Sequence, residues 1–321
     1  MSVANIDLDS YLIPSAPDHG GVVAPDQSHK RSRPGASETE IQRHYDIGND
    51  FYRRWLGETM AYSAALWSPD RPDATLEEAQ RNKVKYHVDQ ALSRGARRVL
   101  DCGCGWGAIL EELSQVRRVP ECTGITLSSA QVDWIAAQDW PGVQPRLESW
   151  QSHEPAESYD AIIACGVLEH AADPTQTADE RIATYRHFFE RCHRWSRCGA
   201  RVSLQFIAHG AIGEAARARV ASLTQQIFPG TAIPRLQEVL CAAEDLFHVA
   251  VVHNHARDYA RTCHIWRARL RENERDVVGR WGSELYAQYC KYLMACEAGF
   301  TMNNLALYRM TVVRNRAKAA M

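Results

Sequence analysis

From Ala96 onward the chain alternates short apolar runs with helical stretches, and that rhythm narrows the possible folds more than any other feature. "ARRVLDC" precedes the helical "WGAILEELSQV", and "ECTGITL" precedes "SSAQVDWIAAQ". "VQPRLES" reads as a further strand, "YDAIIACG" leads into "ADERIATYRHFFERCHRW", and Gly199 opens "ARVSLQFIA". Strand and helix in this order predict an α/β fold with a mostly parallel sheet covered on both faces. Residues 209–247 break the rhythm and read as an insertion. "HVAVVH" then resumes a strand, "YARTCHIWRARLREN" and "SELYAQYCKYLMACEAGF" are helical, and "LALYRMTVVR" closes as a strand.

The first strand-to-helix turn, "VLDCGCGWGAIL", is where a cofactor loop belongs. Gly103, Gly105 and Gly107 permit backbone conformations and close approaches that a side chain blocks, and the first helical turn leaves N–H groups unsatisfied. Gly103, Gly105 and Ala108 also satisfy the G-x-G-x-x-A dinucleotide pattern. That pattern expects an acid at the end of the next strand. Here the strand ends "GITLSSAQ", with no acid, so the nicotinamide reading weakens.

Ahead of the alternation, residues 1–37 are rich in Pro, Gly, Ser and charge and read as a disordered arm. A helical cap is expected over 38–95. Its first helix starts near Ser37, and its second runs over about 76–95 with Gly95 as C-cap. The core then occupies 96–321, with a lid insertion at about 209–247. The chain has 321 residues, 45% of them hydrophobic, enough to bury a large core. A formal net charge of −2 carries no footprint for nucleic acid. Its ten cysteines lack zinc-knuckle spacing. They read as scattered reduced thiols in a cytoplasmic protein with neither signal peptide nor integral membrane segment. His253 and His255 share one strand face but lack a third ligand at recognisable spacing, so no metal site is expected.

Seven blocks occur in order: "HYDIGNDFYRRWLGETMAYSAALW", "LEEAQRNKVKY", "VLDCGCGWG", "GITLSSAQ", "CGVLEH", "IFPGTAIP" and "YLMACEAGF". Over about residues 40–314 the chain resembles the cyclopropane fatty acid synthase family of S-adenosylmethionine-dependent enzymes. That family includes mycolic acid cyclopropane synthases and is similar to plant N-methyltransferases. The resemblance implies a Rossmann-like class I methyltransferase with a seven-stranded sheet. It implies S-adenosylmethionine held by Tyr62 and Ser63 at its methionine carboxylate and amine, and by Asp101, Gly103 and Gly105 along the methionine and ribose. Thr126, Leu127 and Gln131 would face ribose and adenine, and Ser149, Trp150 and Gln151 the adenine.

The resemblance also assigns Glu169 a functional role, with His170 beside it and Tyr259 downstream. In the cyclopropane synthases a bound bicarbonate is the base, caged by Cys, Glu, His, Ile and Tyr. This chain matches with Glu169, Ile207 and Tyr259 but has Ala64 for the Cys and Gln205 for the His. Ala donates no side-chain hydrogen bond, and Gln carries neither the charge nor the proton of His. Bicarbonate-assisted ring closure is therefore not expected. The leading expectation is C-methylation of an unsaturated or electron-rich small-molecule or lipid acceptor. Cyclopropane formation on a fatty acyl chain, N-methylation of an amine, and cofactor binding without catalysis stay open as alternatives.

Overall fold

The computed structural model describes residues 47–227 and 230–315. The expected arm at 1–37 and the helix start at Ser37 lie outside the described residues. Helix α1 (Asn49–Leu56) buries Phe51, Tyr52, Trp55 and Leu56. Helix α2 (Leu76–Ala91) starts at Thr75, whose hydroxyl accepts the Glu78 N–H while the Glu78 side chain accepts that of Thr75. It ends at Ala91 with Leu92 as C-cap, several residues before the expected stop. Gly95, at φ 82°, instead serves the turn that leads into the first strand.

The strands are β1 (Arg98–Cys102), β2 (Glu121–Thr126), β3 (Val143–Leu147), β4 (Tyr159–Cys165), β5 (Ser196–His209), β6 (Phe247–Asn254) and β7 (Leu305–Arg314). They form one seven-stranded sheet in the order β3-β2-β1-β4-β5-β7-β6. β7 runs antiparallel to both neighbours, and the other neighbouring strands pair in parallel. β5 starts at Ser196, ahead of the expected opening at Gly199, through a register shift against β4.

Helix α3 (Ala108–Glu111) continues into a π turn over Glu112–Val116. Helices α4 (Ser129–Ala136), α5 (Ala178–Trp195), α6 (Glu214–Ile227) and α7 (Leu236–Ala243) follow, then α8 (Ala256–Glu272), α9 (Glu274–Trp281) and α10 (Ser283–Thr301). The short α9 was not expected from the sequence.

The sheet is sandwiched. On one side Phe188, Phe189 and Trp195 of α5 and Val239 and Ala242 of α7 pack on Ile162, Val202 and Leu204. On the other, Val84 and Val88 of α2 and Leu110 and Leu113 cover Val99, Ala161 and Ile163. Thus α7, at the end of the 209–247 insertion, is a core element. A third cluster joins α1 to α8 and α10 through Trp55, Trp266, Phe51 and Tyr289. Trp55 and Trp266 meet edge to face with centroids 5.6 Å apart. Trp106 of the turn after β1 joins this cluster, and its Nε1 donates to Asn49 Oδ1 of α1 at 2.8 Å.

Candidate active site

Beyond β1 the chain builds β2 and β3 on one side of the sheet, and β4 and β5 lie on the other. A crevice opens at such a switch point in an open α/β sheet. Here a cavity, part of it open to solvent, is lined by the turns after β1 and β4. Residues 60–63 ahead of α2, together with α8 and α10, complete its wall.

The turn after β1 is pinned to β2: the N–H groups of Gly103 and Cys104 both donate to the Ile125 carbonyl, at 2.9 and 3.1 Å. Gly103 takes φ 76°, and a Cβ there would lie 2.8 Å from Val167 Cγ2. Gly105 takes φ 54° with open space where a Cβ would be, so the backbone itself forms the cavity floor. Asp101 at the end of β1 is 1% exposed, and neither carboxylate oxygen has a hydrogen-bond partner. Burial raises its pKa to about 7, against the opposing pull of the Lys83 cation.

Lys83 on α2 is a cavity residue the sequence reading missed. It is 3% exposed, and its Nζ lies 3.0 Å from Ser63 Oγ. Burial lowers its pKa. Its signal was legible in principle: Leu76, Ala79, Gln80, Lys83 and His87 fall on the buried face of α2, where two titratable side chains are out of place. Gln80 donates to the Ser63 carbonyl at 2.9 Å and so fixes the segment carrying Tyr62 and Ser63. That segment starts at Met60, a buried non-glycine residue at φ 48°.

The turn after β4 carries Glu169 and His170. Glu169 is 6% exposed; its Oε1 accepts the Ile207 N–H at 2.6 Å, and its Oε2 has no partner. Burial raises its pKa to about 7, opposed by the Ile207 hydrogen bond. His170 Nδ1 lies 3.0 Å from Thr231 Oγ1, and burial lowers its pKa to about 4, so the ring is neutral at pH 7. Tyr259 on α8 stacks on Phe300 with centroids 4.6 Å apart.

The structure thus brings Tyr62, Ser63, Asp101, Gly103, Gly105 and Gln131 to one cavity with Glu169, His170, Gln205, Ile207 and Tyr259. Six other sequence-derived candidates do not line it. Thr126 stands behind Gln131, its hydroxyl donating to Oε1 at 2.6 Å. Leu127 lies between β2 and α4. The Trp150 ring packs edge-on against Phe188 at 5.3 Å, while Ser149 accepts the Gln151 N–H at 3.2 Å in the same turn. Ala64 is fully buried, and its carbonyl accepts from Arg309 Nη2 at 2.8 Å. Apolar and aromatic packing claims Trp150 and Ala64. Tyr292 and Cys296 line the cavity without having been singled out, and Trp106, equally a packing residue or a ligand contact from the sequence, lines it too.

Two unpartnered carboxylate oxygens at Asp101, an ammonium beside a hydroxyl at Lys83 and Ser63, and a bare glycine floor fit a cofactor with an amino-acid end. Asp101 suits its ammonium, and Lys83 with Ser63 suits its carboxylate. All ten cysteines are free thiols. His253 and His255 have ring centroids 5.5 Å apart, and among the described residues no group of three or more His, Cys, Asp or Glu side chains is placed to hold a metal. Among the described residues no helix is long and apolar enough to cross a membrane.

The family model described as mycolic acid cyclopropane synthetase matches residues 32–310. Cyclopropane mycolic acid synthase 3 of Mycobacterium tuberculosis is 30% identical over 273 residues, covering 80% of this chain and 90% of that protein. The hydroxymycolate synthase MmaA4 of Mycobacterium bovis is 29% identical over 296 residues, covering 87% and 94%. Among solved structures, mycolic acid cyclopropane synthase CmaA1 complexed with SAH and CTAB superposes with a TM-score of 0.77 at 27% identity, covering 88% of this chain and 99% of that one. The glycine turn, the carboxylate pair and this match along most of the chain make it a member of the mycolic acid cyclopropane synthetase family, an S-adenosylmethionine-dependent, methyltransferase-type enzyme with a Rossmann-like fold.

Proposed function

We propose that this enzyme C-methylates an unsaturated, lipid-like acceptor and that Glu169 removes the proton the reaction releases. The observation that carries this reading is the Glu169 carboxyl: buried, tied at one oxygen to Ile207, unpartnered at the other, and poised near neutrality. Bound at the Asp101 and Lys83 end, S-adenosylmethionine supplies a methyl carbon already activated by its sulfonium. Lys83 and Ser63 anchor the methionine carboxylate, and Asp101 takes its ammonium. Tyr62, Gly103, Gly105 and Gln131 complete the cofactor wall, with Thr126, Leu127, Ser149, Trp150 and Gln151 supporting its adenine side.

The acceptor lies against Ile207, Ile233, Leu305 and Leu307, an apolar wall suited to a hydrocarbon chain. When its double bond takes the methyl carbon, the methyl–sulfur bond breaks, its electron pair leaves on the neutral thioether of S-adenosylhomocysteine, and positive charge develops at the neighbouring carbon. Glu169 Oε2 then accepts a proton. Loss of that proton from an adjacent carbon leaves a methylated alkene, and loss from the new methyl group closes a cyclopropane. Ala64 and Gln205 supply no proton-exchanging group, so Glu169 carries the step in place of a caged bicarbonate, with His170 and Tyr259 shaping its surroundings. Thr231 and Ile233, within the 209–247 insertion, line the cavity and support a lid role for that segment, which excludes water over the reacting carbon. Free thiols and a net charge of −2 support cytoplasmic work without nucleic acid.

The test is incubation of the full chain with methyl-labelled S-adenosylmethionine and lipids bearing a monounsaturated acyl chain, followed by mass spectrometry and ozonolysis. A labelled product that ozone still cleaves is the expected outcome. A labelled product resistant to ozone would give the cyclopropane instead. Absence of label from every unsaturated lipid would overturn the acceptor class.

A further inference from the structure

Residues 60–68 form neither helix nor strand, yet Met60, Ala64 and Ala65 are buried. A buried stretch without regular structure must find partners for its peptide groups elsewhere. Here they come from three elements distant in sequence. From α2, Gln80 donates to the Ser63 carbonyl, and the Ala79 carbonyl accepts the Leu66 N–H at 3.0 Å. From α8, Thr262 Oγ1 accepts the Ala65 N–H at 3.1 Å and donates to the Asp258 carbonyl at 2.7 Å. From β7, Arg309 Nη2 donates to the carbonyls of both Ala64 and Ala65, at 2.8 and 3.1 Å.

Arg309 is the least expected of these partners. It stands between Gln205 of β5 and His253 of β6 in the sheet, and strand alternation puts Leu307 and Thr311 on its face. Leu307 reaches the cavity, and Thr311 Oγ1 donates to Gln90 Oε1 of α2 at 3.1 Å, so Arg309 lies on the face that α2 covers. Its side chain is fully buried, and among the described residues its Nε and Nη1 have no hydrogen-bond partner. Burial lowers its pKa only to about 10, opposed chiefly by Asp258, so the guanidinium is charged at neutral pH. A buried charge with no carboxylate bonded to it is costly, and a neutral side chain would fill this place in the sheet at less cost. What the guanidinium adds is a nitrogen with two N–H groups, able to hold two successive carbonyls at once. The Ala64–Ala65 peptide is thereby held from both sides, its carbonyl toward β7 and its N–H toward α8. Next to it stands Ser63, whose hydroxyl meets Lys83 Nζ.

We propose that Arg309 is a positioning residue for the amino-acid end of the cofactor: by holding the Ala64 and Ala65 carbonyls it sets Ser63 opposite Lys83. Arg309 is not part of the cavity wall, so it acts through Ser63 and not on the ligand. The nucleoside end rests on Gln131 and the glycine turn and does not depend on this clamp.

This inference rests on the placement of the amino-acid end at Ser63 and Lys83, and its test separates the two. The full chain is titrated calorimetrically with S-adenosylhomocysteine and with 5′-methylthioadenosine, the same nucleoside thioether cut short of the amino-acid group. The unmodified protein should bind the longer ligand more tightly. Arg309→Met should weaken S-adenosylhomocysteine binding about tenfold or more and leave methylthioadenosine within about twofold. Arg309→Lys, which keeps the charge and a donor, should recover part of the loss. Thr262→Val releases the other side of the same peptide; it should show the same selectivity to a smaller degree, and it carries the test if the Met variant does not fold. When Arg309→Met and Ser63→Ala are combined, the losses should fall short of additive, because both remove one contact. Equal weakening of both ligands would make Arg309 a scaffold residue only and overturn the proposal, as would unchanged affinity for both. Equal affinity of the unmodified protein for the two ligands would instead remove the placement of the amino-acid end beneath it.

Discussion

Two carboxyls raised toward neutrality, Asp101 and Glu169, are buried in the cavity. As the proposed base, Glu169 would act only when ionised, so the methyl-transfer rate should rise with pH through an acid limb centred at about 7. Glu169→Gln should remove that limb and lower turnover by about 10²-fold or more while S-adenosylhomocysteine still binds. Product formation across a pH series checks both. Asp101 responds differently. An incoming ammonium favours its ionised form, so cofactor binding near pH 7 should release a proton. Calorimetry in buffers of unequal ionisation enthalpy reads that proton, and Asp101→Asn should abolish it. Replacing Lys83 with Met should weaken cofactor binding by about 1–3 kcal/mol, the usual cost of losing a charge-assisted hydrogen bond. At this scale the sequence was informative about glycines and acids because their spacing follows the strand-to-helix turn. It was silent about Lys83, whose role depends on α2 lying across the carboxyl end of β1.

The β1-to-α3 turn is the element on which the site is built. Gly103→Ala places a Cβ 2.8 Å from Val167 Cγ2 at a left-handed φ of 76°. It should cost about 1–3 kcal/mol in backbone strain alone, and displacement of the turn should lower cofactor affinity further. Urea unfolding with and without S-adenosylhomocysteine separates the two losses. Helix α1 depends on its aromatic cluster with α8 and α10. Trp55, fully buried against Trp266 and Tyr62, should cost about 3–5 kcal/mol when cut to Ala. Strands and long helices were legible because apolar periodicity survives in any context. Helix ends were not. The end of α2 at Ala91 is set where the chain must turn into β1, and the separation of α8 from α9 depends on packing around Asn273, which donates to the Arg54 carbonyl at 3.1 Å.

In the whole molecule the two carboxyls also shape stability. Both have folded-state pKa values raised above those of the unfolded chain. As pH climbs from about 4, the unfolded state ionises first, so each carboxyl contributes a loss of stability that grows until pH passes about 7. The difference in unfolding free energy between pH 5 and pH 8 should therefore shrink in Asp101→Asn and Glu169→Gln. Bound S-adenosylhomocysteine should recover the Asp101 share. Equilibrium unfolding at the two pH values decides this; an unchanged difference in both variants would show that the groups ionise freely in the folded state.

The linear order of residues determined the alternation of strand and helix, the glycine turn, the placement of acids at strand ends, and through seven ordered motifs the family. These are local facts, governed by side-chain period and backbone permissiveness within a few residues. Only the tertiary structure decided which candidates meet at the cavity. It turned Trp150 toward Phe188, brought Lys83 across to Ser63, and set His87 against Ser203. Long-range packing settles each of these, because desolvation and hydrogen-bond partnership arise only when distant segments close around the same atoms.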